Sequence, residues 1–144
     1  MNVLSIAIII FVVIECLNIM TLYFNPSTKM GNGLGVFNAY HDSQENDKYK
    51  DLVSYLVNWV AGTKLIFIMI GIVVVVFGNE RTQFYTVLAF IISILSFYWR
   101  LFPTIKELDK KDLITPKGYS KTLNMMIISF LSLFTIALLI HLIT

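Results

Sequence analysis

Charge is scarce in this chain. Only 14% of its 144 residues are Asp, Glu, Lys or Arg, against roughly a quarter in ordinary soluble domains. That scarcity excludes a disordered chain and a nucleic-acid module, so no nucleic-acid partner is expected. Cysteine is rarer still, and the single Cys16 excludes an intrachain disulfide. Glu15 stands where a lipoprotein signal needs a small residue. The opening MNVLSIAIII lacks a basic n-region, and no small-x-small cleavage site follows it. The first segment therefore reads as a retained span. No His, Cys, Asp and Glu cluster has metal spacing, and His41 beside Asp42 is too little for a metal site. No metal or cofactor is expected.

Apolar residues are what the chain has, at 57% hydrophobic with mean hydropathy +0.76. They are bunched into long runs, which excludes a soluble single-domain enzyme and points to a polytopic membrane protein. About 20 apolar residues cross the hydrocarbon core as a helix. Four stretches qualify, at about 3–24, 52–77, 84–102 and 123–143. The expected fold is a single all-α domain, a four-helix transmembrane bundle over 1–144. The link GNERTQ makes spans two and three antiparallel neighbours.

Lysine and arginine set the orientation. The side holding the first and third loops carries nine of them, the other side only Arg81, and Lys64 lies inside a span. The positive-inside rule then puts the two longer loops in the cytoplasm and both termini outside, across the plasma membrane. Tyr23, Tyr55, Trp59, Tyr98 and Trp99 lie near the cytoplasmic ends, where amphipathic rings prefer the headgroup layer.

Two charges stand inside spans. Glu15 interrupts the first and Lys64 the second. A lone charge at mid-bilayer costs at least about 2.5–3.5 kcal/mol. Glu15 lies about 14 Å from the cytoplasmic end of its helix at Phe24, and Lys64 about 14 Å beyond Tyr55. The helices run antiparallel, so the depths match and a buried Glu15–Lys64 ion pair is expected. The alternative is a Lys64 that snorkels to the cytoplasm over a protonated Glu15. Asn18 and Asn25 extend the polar face of the first helix, and Asn58 belongs with Glu15, Lys64 and Asn18 to the expected polar site. Val57, Ala61, Lys64, Ile68, Gly71, Val75 and Gly78 form a seam whose small residues permit close helix approach, within the chain or in a homo-oligomer. Ser93, Ser96 and Arg100 share a face of the third span, and Ser129, Ser132 and Thr135 recur at three-residue steps in the fourth; in one reading they line an inward polar cavity, and in the simpler one the hydroxyls bond their own backbone. His141 reads as an interfacial residue.

The first loop alternates Gly31, Gly33 and Gly35. Such backbone can form an anion nest or a flexible turn, and it matches neither phosphate-binding fingerprint. Phe37 and Tyr40 are placed to dip into the headgroups, and Asn46 to Asp51 to begin the second helix. In the third loop Pro103 is expected to end or kink the third span. Ile105, Leu108 and Asp112 then suggest a short interfacial helix, Thr115 to Gly118 a turn, and Ser120 the N-cap of the last span. Lys106, Lys110, Lys111, Lys117 and Lys121 are expected to contact anionic headgroups.

Three functions fit these features. The first is a non-enzymatic membrane component, such as an accessory, immunity or assembly subunit, in which Glu15–Lys64 sets helix register. The second is a carrier or binder of a small polar or amphipathic ligand inside the bundle. The third is a membrane enzyme on a lipid-soluble substrate, with Glu15 as acid or base. The partners expected are the bilayer and either a second copy or a larger membrane complex.

Overall fold

The computed structural model describes residues 1–143. The described elements are α1 (Val3–Phe24), α2 (Asn38–Gln44), α3 (Asp47–Phe77), α4 (Glu80–Leu95), α5 (Leu101–Lys110) and α6 (Tyr119–Ile143), with one 3-10 turn at Ser96–Tyr98. The only β pairing among the described residues is an isolated bridge between Phe37 and Ile114. Four helical stretches are long and apolar enough to cross a membrane: Val3–Phe24, Asp47–Phe77, Glu80–Lys110 and Tyr119–Ile143.

Asparagine starts three of these helices. The side chains of Asn2, Asn46 and Asn79 accept from the backbone N–H groups of Ser5, Lys48 and Thr82. Each satisfies a donor that the first helical turn leaves free. α3 starts five residues before the apolar run at Leu52 and extends over 31 residues, about 46 Å.

The third span breaks earlier than Pro103. α4 stops at Leu95, and Pro103 sits in the first turn of α5. Its ring collides with the carbonyl four residues back, at Trp99, so the break falls upstream. Its missing N–H costs nothing in a first turn. α5 ends at Lys110, and Asp112 lies beyond it at φ +55°. Asp tolerates that left-handed position, which turns the chain away from the helix. Asp112 is therefore not part of the helical stripe.

α1 is the hub, touching α3, α4 and α6, whereas α3 and α6 do not touch. One core joins Leu4, Ala7 and Ile8 of α1 to Val87, Phe134 and Ala137. Phe11, Phe90 and Phe134 meet there with centroids 5.1–5.6 Å apart. A second core pairs Ile19 and Leu22 with Val57, Ala61 and Ile68. The small-residue seam of α3 is thus an internal interface. A Cβ on Gly71 would lie 2.9 Å from Val12 Cγ2. Lipid tails give helices no hydrophobic reason to associate, so such close packing supplies the attraction.

The two ends of the bundle differ. At one end Ser5 Oγ donates to Gln83 Oε1 at 2.9 Å, and Gln83 Nε2 donates to the Gly78 carbonyl. At the other, the first and third loops fold together. Asn38 N donates to the Leu113 carbonyl and Thr115 N to the Val36 carbonyl. Val36, Ile105, Ile114 and Tyr119 form a third core beneath them. Outward apolar side chains stay exposed, among them Ile66, Val73 and Phe77 of α3.

Gly71→Leu is expected to lower stability by about 1–3 kcal/mol through overpacking against Val12 and Ile8. A Cβ on Gly62 meets only the Tyr23 hydroxyl at 3.5 Å, so Gly62→Ala should be neutral or slightly stabilising. Thermal melts in detergent check both, and equal losses would contradict the packing.

Candidate functional site: a polar contact beside a lateral groove

Glu15 points from α1 toward α3. Lys64 Nζ donates to Glu15 Oε2 at 2.5 Å, and Asn18 Nδ2 donates to Glu15 Oε1 at 3.2 Å. Asn18 lies one turn on, so its amide is presented on the same helix face. Neither end of the contact is fully buried. The side chains are 13% exposed for Glu15 and 29% for Lys64. The expected burial is therefore incomplete, because α3 and α4 leave a gap over this stretch of α1.

That gap is a groove of about 430 Å³. Phe11 and Glu15 supply its α1 wall, Lys64, Phe67 and Ile70 its α3 wall, and Thr86, Ala89, Phe90 and Ile94 its α4 wall. The wall is mostly apolar, and its polar side chains are Glu15, Lys64, Thr86 and Ser93. Thr86 spends its hydroxyl on the Thr82 carbonyl of its own helix. So do Ser129 on Met125 and Thr63 on Trp59.

Asn18 is buried, and the first loop covers it. Gly31 has φ +58°, and a Cβ there would lie 2.7 Å from Asn18 Oδ1. The Gly31 carbonyl accepts from the Tyr119 hydroxyl at 3.2 Å. A chain of contacts therefore runs from Lys64 through Glu15, Asn18 and Gly31 to Tyr119. Tyr119 was invisible as a participant because nothing in the spacing pairs it with residue 31.

The glycine alternation builds a compact turn, not an anion nest. Gly33 N, Leu34 N and Gly35 N donate to the carbonyls of Met30, Pro26 and Thr28. Side chains on Gly33 and Gly35 would collide with the carbonyls of Thr28 and Ser27. The N–H groups an anion would need are already used.

Asn58 does not join the site. It lies six residues before Lys64, about 9 Å along the helix, and lines a different pocket with Tyr23 and Tyr40. Asn25 is likewise apart, as the exposed C-cap of α1. His141 stacks near Phe84 with centroids 5.9 Å apart. No metal-binding cluster of His, Cys, Asp and Glu exists among the described residues.

All five lysines of the third loop and its flanks are exposed. Lys111 is paired with Glu107 and Lys117 with Asp112, both at 2.7 Å. Ser120 is not the N-cap expected. It lies inside α6, where its N–H and hydroxyl both donate to Asp109. Asp109 also accepts from Gly118 N at 2.8 Å. A carboxylate from α5 thus serves the free N–H groups at the start of α6. No protein-family model matches this chain, and neither the curated proteins nor the solved structures yielded a match to it.

Asp109 belongs to α5, past the apolar run at about 84–102, and its carboxyl is held below the ordinary range by the Ser120 hydroxyl, then by Gly118 N–H. A depressed pKa stabilises the folded loop above the unfolded carboxylate value of about 3.9. The contribution is lost as pH falls through the lower folded value. Protection factors of the Gly118 and Ser120 amides, corrected for the intrinsic pH dependence of exchange, should therefore be flat at neutral pH and fall in acid. Asp109→Asn should show lower protection at neutral pH and lose the acid step. An acid step retained in that variant would contradict the latch.

Proposed function

We propose that this chain is a non-enzymatic, multi-pass plasma-membrane protein that binds an amphipathic molecule from the bilayer. The ligand's polar end would rest on Glu15 and Lys64, and its tail in the groove between α3 and α4. In this reading the 2.5 Å contact is an ion pair. The groove that reaches the pair carries the proposal. A pair that served only to set helix register would need no opening beside it. Apolar ligands enter mostly apolar pockets that hold a few fixed polar groups, and this groove has that composition.

Orientation belongs to the same proposal. The nine-to-one charge bias supports cytoplasmic loops and outward termini. The exposed Lys106, Lys110, Lys111, Lys117 and Lys121 would then face anionic headgroups. The accessory-subunit reading keeps one observation of its own. The outward face of α3, around Leu65, Met69 and Val73, forms a shallow apolar depression suited to a neighbouring helix.

A long-chain amphiphile with a photoreactive tail tests the groove. Labelling should fall on peptides holding Phe67 and Ile70 of α3 and Ala89 of α4. Ala89→Trp, which fills the groove, should abolish it without unfolding the protein. Labelling spread evenly over all lipid-facing helices, or unchanged by that substitution, would refute the proposal. Cysteines placed singly at Glu45 and Glu80 of a Cys16→Ser chain test the orientation. An impermeant thiol reagent should reach only position 80 in intact cells.

A further inference from the structure

Where α1 ends, a second pocket of about 180 Å³ lies between Leu22 and Tyr23, Pro26 of the first loop, Tyr40 of α2, and Ser54 and Asn58 of α3. Its wall differs in kind from that of the groove, being as much polar as apolar. Four polar side chains line it: the phenols of Tyr23 and Tyr40, the Ser54 hydroxyl and the Asn58 amide. None of the four makes a hydrogen bond to another described residue.

The depth of the pocket is informative. Asn58 is 19 residues from the end of α3 at Phe77, so about 28 Å along the axis. The hydrocarbon core is about 30 Å thick. The pocket therefore lies at the edge of the core, level with the exposed rings of Tyr55 and Trp59. Pro26 and Tyr40 can wall it because the glycine turn folds the first loop back onto α1 and α3.

We infer that this pocket binds an uncharged, polyhydroxylated group such as the sugar ring of a neutral glycolipid. No ionisable group of fixed charge lines it, so a phosphate or ammonium would be desolvated without a counter-charge. Hydroxyls fit the wall, because phenol, hydroxyl and amide each both donate and accept. Phenol rings add apolar faces for the C–H side of a sugar. At about 180 Å³ the pocket has room for more than a single water. This site is separate from the Glu15 groove and does not depend on its function.

The test uses the full chain in nanodiscs of phosphatidylglycerol, with and without monoglucosyl diacylglycerol, read by thermal melting and native mass spectrometry. The glycolipid should raise the melting temperature and remain bound. Tyr40→Phe and Asn58→Ala should melt like the unaltered chain in phosphatidylglycerol alone, since neither group has a partner in the protein. Both should lose the glycolipid shift. Soluble methyl glucoside distinguishes the source. A shift with the free sugar as well supports the same chemistry from a soluble ligand, and a shift with the lipid alone assigns it to a headgroup. Equal melting with and without glycolipid and sugar, or a shift kept in both variants, would overturn the inference.

Discussion

An acidic and a basic side chain set in apolar runs each need a polar partner, and in this chain Glu15 and Lys64 are that partner for one another. Glu15 and Lys64 meet at 2.5 Å across α1 and α3. In the same register of the two helices, Gly71 falls opposite Val12 and Ile8. The same register brings Asn18 beneath Gly31 and so ties the first loop to the bundle. Attraction between helices in lipid is weak and rests on close packing. One strongly directional contact can therefore set an alignment that many apolar contacts then keep.

The bundle is also polarised. Its turn-bearing end is closed by short side-chain bonds among Asn2, Ser5, Gln83 and Glu80. The opposite end carries a small folded cap made by two loops, with its own apolar core and the Asp109 latch onto α6. α5 is amphipathic, but Ile105 turns inward onto that core. Its lysines are left outside. The helix is thus held by protein on its apolar side, and any headgroup contact is left to charge alone. Between the two ends, α3 and α4 stand apart enough to open the groove beside Glu15.

Much of this architecture is written in the hydropathy pattern. The bounds of α1 match the first apolar run, and the other spans lie within the helical stretches that can cross a membrane. Such runs are legible because every backbone group in lipid must bond within its own helix. Lys64 and Glu15 were legible for the same reason, as exceptions to an apolar rule. The loops were less so. Gly33 and Gly35 are needed by carbonyls five and eight residues earlier in the chain, contacts that spacing does not encode. Asp109 meets Ser120 across a turn, and Ser5 meets Gln83 across 78 positions. Asn58, expected in the polar site with Lys64, lines another pocket, because six residues of helix turn it to a different face.

The most direct test of the central claim is a charge exchange read by thermal melting in detergent. Glu15→Lys and Lys64→Glu should each lower the melting temperature, because each leaves two like charges facing one another. The double exchange restores opposite charges at the same depth and should recover most of the loss. Two damaging single changes with no recovery in the double variant would contradict a direct Glu15–Lys64 interaction as the contact that aligns α1 with α3.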